Sequence, residues 1–365
     1  MILSLGEDTP GESVLNLKII GRRRAGAGRP QRGTGPSPAA RSGWAVSEAR
    51  FDHLTVIDSG DPEVRAYRLA RRQHGVLTLN QAVQLGMNRD DVKTRVRRGQ
   101  FRRLWRGVVW AEAEFADEPP WITRAQGALL LHGPNAVLGL GSAGTTLGIS
   151  GADTSDAVIH VVLPRGTERH QVEGIRIHTW NVASTQRMLV GTLATTTPMR
   201  TAADLVPRLR RNQAVAFLDS GLNLGLLNPG ALAEARRLAA GRPGAEICRS
   251  WWELADARAE SALETWTRLD CLDGDVAPDQ LQYPVTTKEG QLLGFGDLAW
   301  LRRRRPLIGE ADGAGVHAAP AALYRDRYRS NAFVAAGTDI IRFTWADARR
   351  PGRCAGMVRH ALAQQ

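Results

Sequence analysis

Cysteine is scarce in this chain. Cys248, Cys271 and Cys354 are the only three in 365 residues, and they lie far apart. They form no C-x-x-C pair and no zinc-ligand spacing. That excludes a disulfide scaffold and a zinc finger, and it points to a reducing cytoplasm. Long apolar runs are missing too. No stretch of eighteen apolar residues occurs, so a membrane-spanning helix is not expected. An apolar h-region followed by an A-x-A cleavage pattern is absent from the first sixty residues, which excludes a secretory leader as the reading of that segment. Acidic residues are outnumbered: 37 Asp and Glu stand against 48 Lys and Arg, for a net charge of +11. No basic amphipathic helix accompanies that excess, so the expected polyanion is nucleic acid rather than a membrane.

The excess is localised. Between Arg65 and Arg106 there are twelve Arg or Lys and two acids, Asp90 and Asp91, a net +10. Residues 1 to about 60 read as disordered, and the tract from Gly21 to Arg41 carries no apolar period. Their Gly, Arg, Pro, Ser and Ala content from Gly21 to Arg41 predicts a disordered basic tail, because such a segment cannot bury enough surface to offset ordering entropy. Residues 64–112 read as helix, helix, short turn, basic helix and basic hairpin. Gly75 ends the first helix. Thr78, with Gln81 three residues on, caps the second, which stops at Gly86. Asn88 caps the third, Arg89 to Arg98, which displays Arg89, Lys93, Arg95, Arg97 and Arg98. The following FRRLWRGVVWAE alternates apolar and basic residues and presents Arg102, Arg103 and Arg106. This order outlines a winged helix-turn-helix, with the third helix in a major groove of double-stranded DNA and the hairpin on phosphates. A small helical domain with a solvated basic face is the alternative.

Residues 121–245 read as a mixed α+β region. Ile122 to His132 is an apolar helix. Val158 to Leu163 is a buried strand, with Gly174 to Trp180 as its antiparallel neighbour. Pro198 opens the helix MRTAADLVPRL. His160, His170 and His178 share no ligand spacing and are expected to be satisfied or solvated. Two amphipathic helices follow, broken at Asn228-Pro229-Gly230, with Gly241 to Gly244 as a linker.

Residues 250–365 read as a last domain of order α-β-β-β-α-β-α, a mixed sheet with flanking helices. Its first helix, Ser250 to Leu269, turns Leu254, Ala257, Ser261, Leu263 and Trp266 to a core. Gly296 to His317 reads as two strands joined by a basic turn. Asp297 sits on the first strand, and Glu310 and Asp312 close the second. Such hard oxygen donors suit Mg²⁺, which neutralises a phosphate oxygen and activates water. On this reading Asp297 and Glu310 are metal ligands. Glu264, which shares a helix face with Glu260, completes the set, Asp312 is a further ligand, and His317 is a general acid or base. Each has a plainer alternative: strand-end acids, solvated helix charges, or an Asp-Gly turn at Asp312. Arg302 to Arg305 would hold flanking backbone, and Arg329 would pair with Asp326 or touch phosphate.

Two resemblances bear on these readings. LTLNQAVQLGMNRDDVKTRVRRGQFRRLWRGVVWAE and, further on, TTTPMRTAADL resemble the AbiEi-type antitoxins of type IV toxin–antitoxin systems. That implies an operon-repressing DNA-binding module and a cognate nucleotidyltransferase-type toxin as partner. From Glu260 to Thr344, the patches SALE, Gln282, GDLAW, GEADG, His317, DRYR and GTDIIRFTW resemble the domains related to very-short-patch repair endonucleases, within the PD-(D/E)xK superfamily. That implies a restriction-endonuclease-like fold and a Mg²⁺ site. The superfamily's lysine is replaced here by Asp312, which removes the usual water-activating amine. Gly309, where an aliphatic is expected, suggests a loosely packed site. Two function classes follow: a DNA-binding antitoxin or transcriptional regulator with a nuclease-like scaffold, or a Mg²⁺-dependent DNA endonuclease.

Overall fold

The computed structural model describes residues 60–113, 116–151, 158–168, 172–302, 304–313 and 320–364. The N-terminal tail through residue 59, His170 and His317 lie outside the described residues. The chain is mixed α/β, with sheets of three, five and four strands. It divides into two compact units: residues 1–142 with 155–196, and 143–154 with 197–365. Among the described residues no helix is long and apolar enough to cross a membrane.

The first unit begins with helix α1 (Pro62–Arg72), strand β1 (Val76–Thr78), α2 (Leu79–Gln84), α3 (Arg89–Arg97), β2 (Arg102–Trp105) and β3 (Val108–Trp110). The expected caps form. Thr78 and Gln81 make a reciprocal capping box on α2, and Asn88 and Asp91 make one on α3. The strands pair antiparallel in the order β1-β3-β2. Ala66, Ala70, Leu77, Ala82, Met87, Val92, Phe101 and Val109 form the shared core.

Helix α4 (Trp121–His132) then packs on a sheet built from β4 (Val137–Leu138), β5 (Ile159–Leu163), β6 (Ile175–Thr179), β7 (Arg187–Val190) and β8 (Leu193–Thr196), in the order β6-β5-β4-β8-β7. β5 and β6 run parallel, with Ile159 opposite Ile175. The antiparallel expectation fails because period-two alternation sets which face is buried and is blind to strand direction. The register also explains two of the histidines. His160 Nδ1 lies 3.0 Å from His178 Nε2, with the rings stacked, so each satisfies the other. Burial and the charge of Arg176 push the His160 imidazole below its ordinary range.

The second unit contains α5 (Pro198–Leu205), α6 (Arg211–Asn223), α7 (Pro229–Ala239), α8 (Ala262–Asp273), β9 (Gln280–Thr286), β10 (Leu292–Trp300), β11 (Leu307–Ala311), α9 (Pro320–Ala335), β12 (Asp339–Phe343), α10 (Trp345–Ala348) and α11 (Arg353–Ala363). The sheet order is β12-β11-β10-β9, with β11 and β12 parallel and the other pairs antiparallel. One face carries Leu263 and Cys271 of α8 and Cys354 and Val358 of α11 against Leu298, Trp300, Leu307 and Phe343. The other carries Phe333 of α9 against Val285, Ala299 and Ile308. All three cysteines are buried and free, and burial pushes the Cys354 thiol up to about 11.

The helix expected from Ser250 to Leu269 starts only at Ala262, after a single 3₁₀ turn at Trp251–Leu254. Asp256 accepts from the Arg258 amide, and Ser261 accepts from the Glu264 amide. These local bonds compete with helical pairing and move the start twelve residues on, from Ser250 to Ala262, a delay of roughly three turns. Gly309 also departs from expectation. A Cβ there would sit 3.0 Å from both Phe343 Cε2 and Trp300 Cζ3. The position is tightly packed rather than loose, and glycine lets two aromatic rings close over the strand. Gly309→Val should therefore destabilise the protein by about 1–3 kcal/mol through overpacking. A chemical-denaturation midpoint equal to wild type would refute this.

Candidate functional site: an acid cluster and a basic face

In the second unit, three strands and two helices bring Glu264, Gln282, Asp297, Glu310 and Arg329 together. β10 and β11 pair as far as Leu298 and Gly309, and Asp297 lies just past that last pair. Its Oδ2 accepts the Ala311 amide at 2.8 Å. Glu264, held in the first turn of α8 by the Ser261 cap, is buried. Its Oε2 accepts the Glu260 amide at 2.9 Å and the Gln282 side-chain amide at 3.1 Å. Gln282 also hydrogen-bonds Asp297. It does so from φ +50°, a left-handed conformation inside strand β9 that a side chain of this kind seldom adopts. Glu310 is 5% exposed, and its Oε2 accepts from Arg329 Nη2 at 3.0 Å.

Burial and the neighbouring charge of Asp297 push the Glu264 carboxyl up to about 7. Burial raises Asp297 as well, opposed by the Ala311 amide and by Arg329. A raised acid is favoured while protonated. The Glu264 contribution is therefore full below the unfolded value near 4.5 and is lost as pH rises through about 7. Glu264→Gln keeps an oxygen that can accept both amide protons. It should gain stability relative to wild type at pH 8, by at most a few kcal/mol, and little at pH 5. Urea midpoints at the two pH values measure this; a gain that is equal at both would show that charge is not the cause.

The other expected members of the cluster lie elsewhere. Asp312 is exposed and turns to Arg342, with Oδ2 3.2 Å from Nη1. His317 is outside the described residues, as is Arg303. Arg302 is largely buried and Arg305 is exposed; both pair with Asp339, and Arg305 donates to the carbonyls of Val334, Gly337 and Thr338. Among the described residues, no group of three or more His, Cys, Asp or Glu side chains is placed to hold a metal ion. Glu264, Asp297 and Glu310 have the donor chemistry for Mg²⁺, but the three do not form such a group. The role of Gln282 and the partner of Arg329 were not readable beforehand. Both depend on register between strands and on the rotation of α9.

The basic residues of the first unit are placed differently. Arg89, Lys93, Arg97 and Arg98 are exposed on α3 or at its end, and Arg102, Arg103 and Arg106 are exposed on the β2–β3 hairpin. Arg95 is the exception. It is half-buried and its Nε donates to Glu63 on α1 at 3.0 Å. Lys93 pairs with Asp90 at the surface, and Arg102 lies over the Trp110 ring, 5.7 Å from its centroid.

These features define a two-unit mixed α/β protein with a cationic helix-and-hairpin surface in one unit and a partly buried acid–arginine cluster in the other. No family model matches the chain. Two mycobacterial proteins match it along most of its length: the uncharacterized protein MT2308 of Mycobacterium tuberculosis (strain CDC 1551 / Oshkosh) and the uncharacterized protein Rv2248 of Mycobacterium tuberculosis (strain ATCC 25618 / H37Rv). Each is 32% identical over 277 residues, which is 76% of this chain and 97% of the relative. The chain belongs to the family of these two proteins. Among solved structures, the RV2827C protein from Mycobacterium tuberculosis aligns with a TM-score of 0.38 at 17% identity, over 60% of this chain and 82% of that one.

Proposed function

We propose that this protein is a cytoplasmic DNA-binding regulator of the AbiEi-like antitoxin type, with a nuclease-like C-terminal domain that serves as a scaffold. The observation that carries the reading is the placement of charge. Seven exposed cations lie on α3 and the β2–β3 hairpin, while the one inward-facing arginine of α3 has a carboxylate partner. Helices α1 to α3 with the antiparallel hairpin support a winged helix-turn-helix. In it, Arg89, Lys93, Arg97 and Arg98 follow a major groove, and Arg102, Arg103 and Arg106 meet phosphates. By the AbiEi resemblance, the DNA is the protein's own operator, and a nucleotidyltransferase-type toxin is its partner. The mixed four-stranded sheet with helices on both faces supports a PD-(D/E)xK-like architecture for the C-terminal domain.

A Mg²⁺-dependent endonuclease is the second reading. One observation favours it: two neighbouring carboxyls, buried Glu264 and partly buried Asp297, are both raised, as acid–base sites require. Fluorescence anisotropy of the full chain on duplex DNA across a salt series tests the first reading. Binding without a salt dependence would overturn it. Plasmid nicking with Mg²⁺ or Mn²⁺ tests the second. Cleavage by wild type that disappears in both Asp297→Ala and Glu310→Ala would establish an enzyme.

A further inference from the structure

We propose that the Arg329 guanidinium takes the place that a divalent cation would occupy at the Glu264–Asp297–Glu310 cluster, so that this cluster is a charge network made wholly of protein groups. The proposal rests on the repair-endonuclease resemblance only for the expectation that a metal would be there.

The geometry has three parts. The guanidinium is directed at the cluster: Nη2 is 3.0 Å from Glu310 Oε2, and its charge also acts on Asp297. The arginine is seated by its own helix and by the strand beneath it. Its Cζ lies 5.7 Å from the Phe333 ring centroid, one turn along α9. Gly294 of β10 leaves room for this stack, since a Cβ there would come within 3.2 Å of Phe333 Cζ and 3.6 Å of Arg329 Cδ. Finally, protein donors already engage the other carboxylates. The Glu260 amide and Gln282 bind Glu264, and the Ala311 amide binds Asp297. Mg²⁺ takes oxygen donors at about 2.0–2.1 Å, and among the described residues no group of three or more His, Cys, Asp or Glu side chains is placed to hold a metal ion. An arginine needs no such convergence, because its planar fork of five N–H groups contacts carboxylates at hydrogen-bond distance.

Two measurements on the full chain test this. In the first, Mn²⁺ is titrated into wild type and Asp297→Asn, with free Mn²⁺ followed by electron paramagnetic resonance. The expected result is no saturable site that distinguishes the two proteins. One Mn²⁺ bound per wild-type chain and lost in Asp297→Asn would overturn the proposal. In the second, urea unfolding is compared for wild type, Arg329→Met, Glu310→Gln and the double variant. Arg329→Met removes this ion-pair partner from a buried carboxylate, whereas the double variant removes both charges. The unfolding constants should then show coupling of about tenfold or more between the two positions. Additive effects would mean that Arg329 is not the counter-ion of Glu310. Should Arg329→Met fail to fold, the Mn²⁺ titration of wild type against Asp297→Asn decides alone. This outcome is separate from DNA binding by the basic face, which can fail or hold without affecting it.

Discussion

Replacing Arg97, Arg98, Arg103 and Arg106 together by glutamine should weaken binding to duplex DNA by about a thousandfold at about 0.15 M salt. The size follows from counterion release. Each phosphate neutralised contributes about 0.9 to the slope of log K against log salt, so four lost contacts lower that slope by about 3.6. These four residues suit the test because all are exposed on α3's end or the β2–β3 hairpin, away from the core built on Phe101 and Val109. Surface substitutions of this kind usually shift stability by no more than about 0.5 kcal/mol. Arg95→Gln is the contrasting variant. Its guanidinium faces Glu63, so it should loosen α3 against α1 while leaving the salt slope near the wild-type value. Anisotropy titrations at several salt concentrations read both quantities. An unchanged slope in the fourfold variant would remove the basic face from DNA recognition, whatever happened to the affinity.

That experiment depends on features that local sequence sets well. The caps at Thr78 and Asn88 are contacts between residues three apart, and both form as expected. The sidedness of α3 was only partly readable. Arg95 was grouped with its neighbours because nothing near it in sequence reveals Glu63, thirty-two positions upstream. The same limit explains the acid cluster. Asp297, Glu310 and Glu264 were identified by type and order, and the fold brings them close. Whether they converge on a point depends on the pairing of β9, β10 and β11 and on the side-chain bonds of Gln282 and Arg329. No periodicity encodes those. β5 and β6 are the clearest case: alternation located both strands correctly and was blind to their parallel direction. Gly309 shows the converse. Read alone, a glycine before an acid suggests slack, but two rings thirty-four and nine positions away fill the space above it.

Asp204→Ala should destabilise the protein by about 3–5 kcal/mol, the usual cost of breaking a buried ion pair by removing one partner. Asp204 is fully buried and accepts from Arg200 Nε at 2.8 Å, one turn earlier on α5. Arg242 pairs with its other oxygen, and Arg208 donates to its backbone carbonyl. Removing the carboxylate leaves the Arg200 side chain, only 6% exposed, without this ion-pair partner. For a domain of this size the loss corresponds to a fall in Tm of roughly 10 °C. Exchanging both partners, Arg200→Met with Asp204→Leu, should recover part of it, because the buried Arg200 charge is then gone while Arg242 still loses its carboxylate. Arg200 and Asp204 both belong to TTTPMRTAADL, one of the two stretches that carry the AbiEi resemblance. Thr197 caps the helix, Pro198 opens it, the Arg200–Asp204 pair braces it internally, and the Asp204–Arg242 pair ties it to the segment after α7. Here the motif works as a packing device and requires no ligand. DNA binding by an Asp204→Ala protein, measured well below its melting temperature, should therefore keep the wild-type salt slope, and a changed slope would tie this motif directly to the nucleic acid.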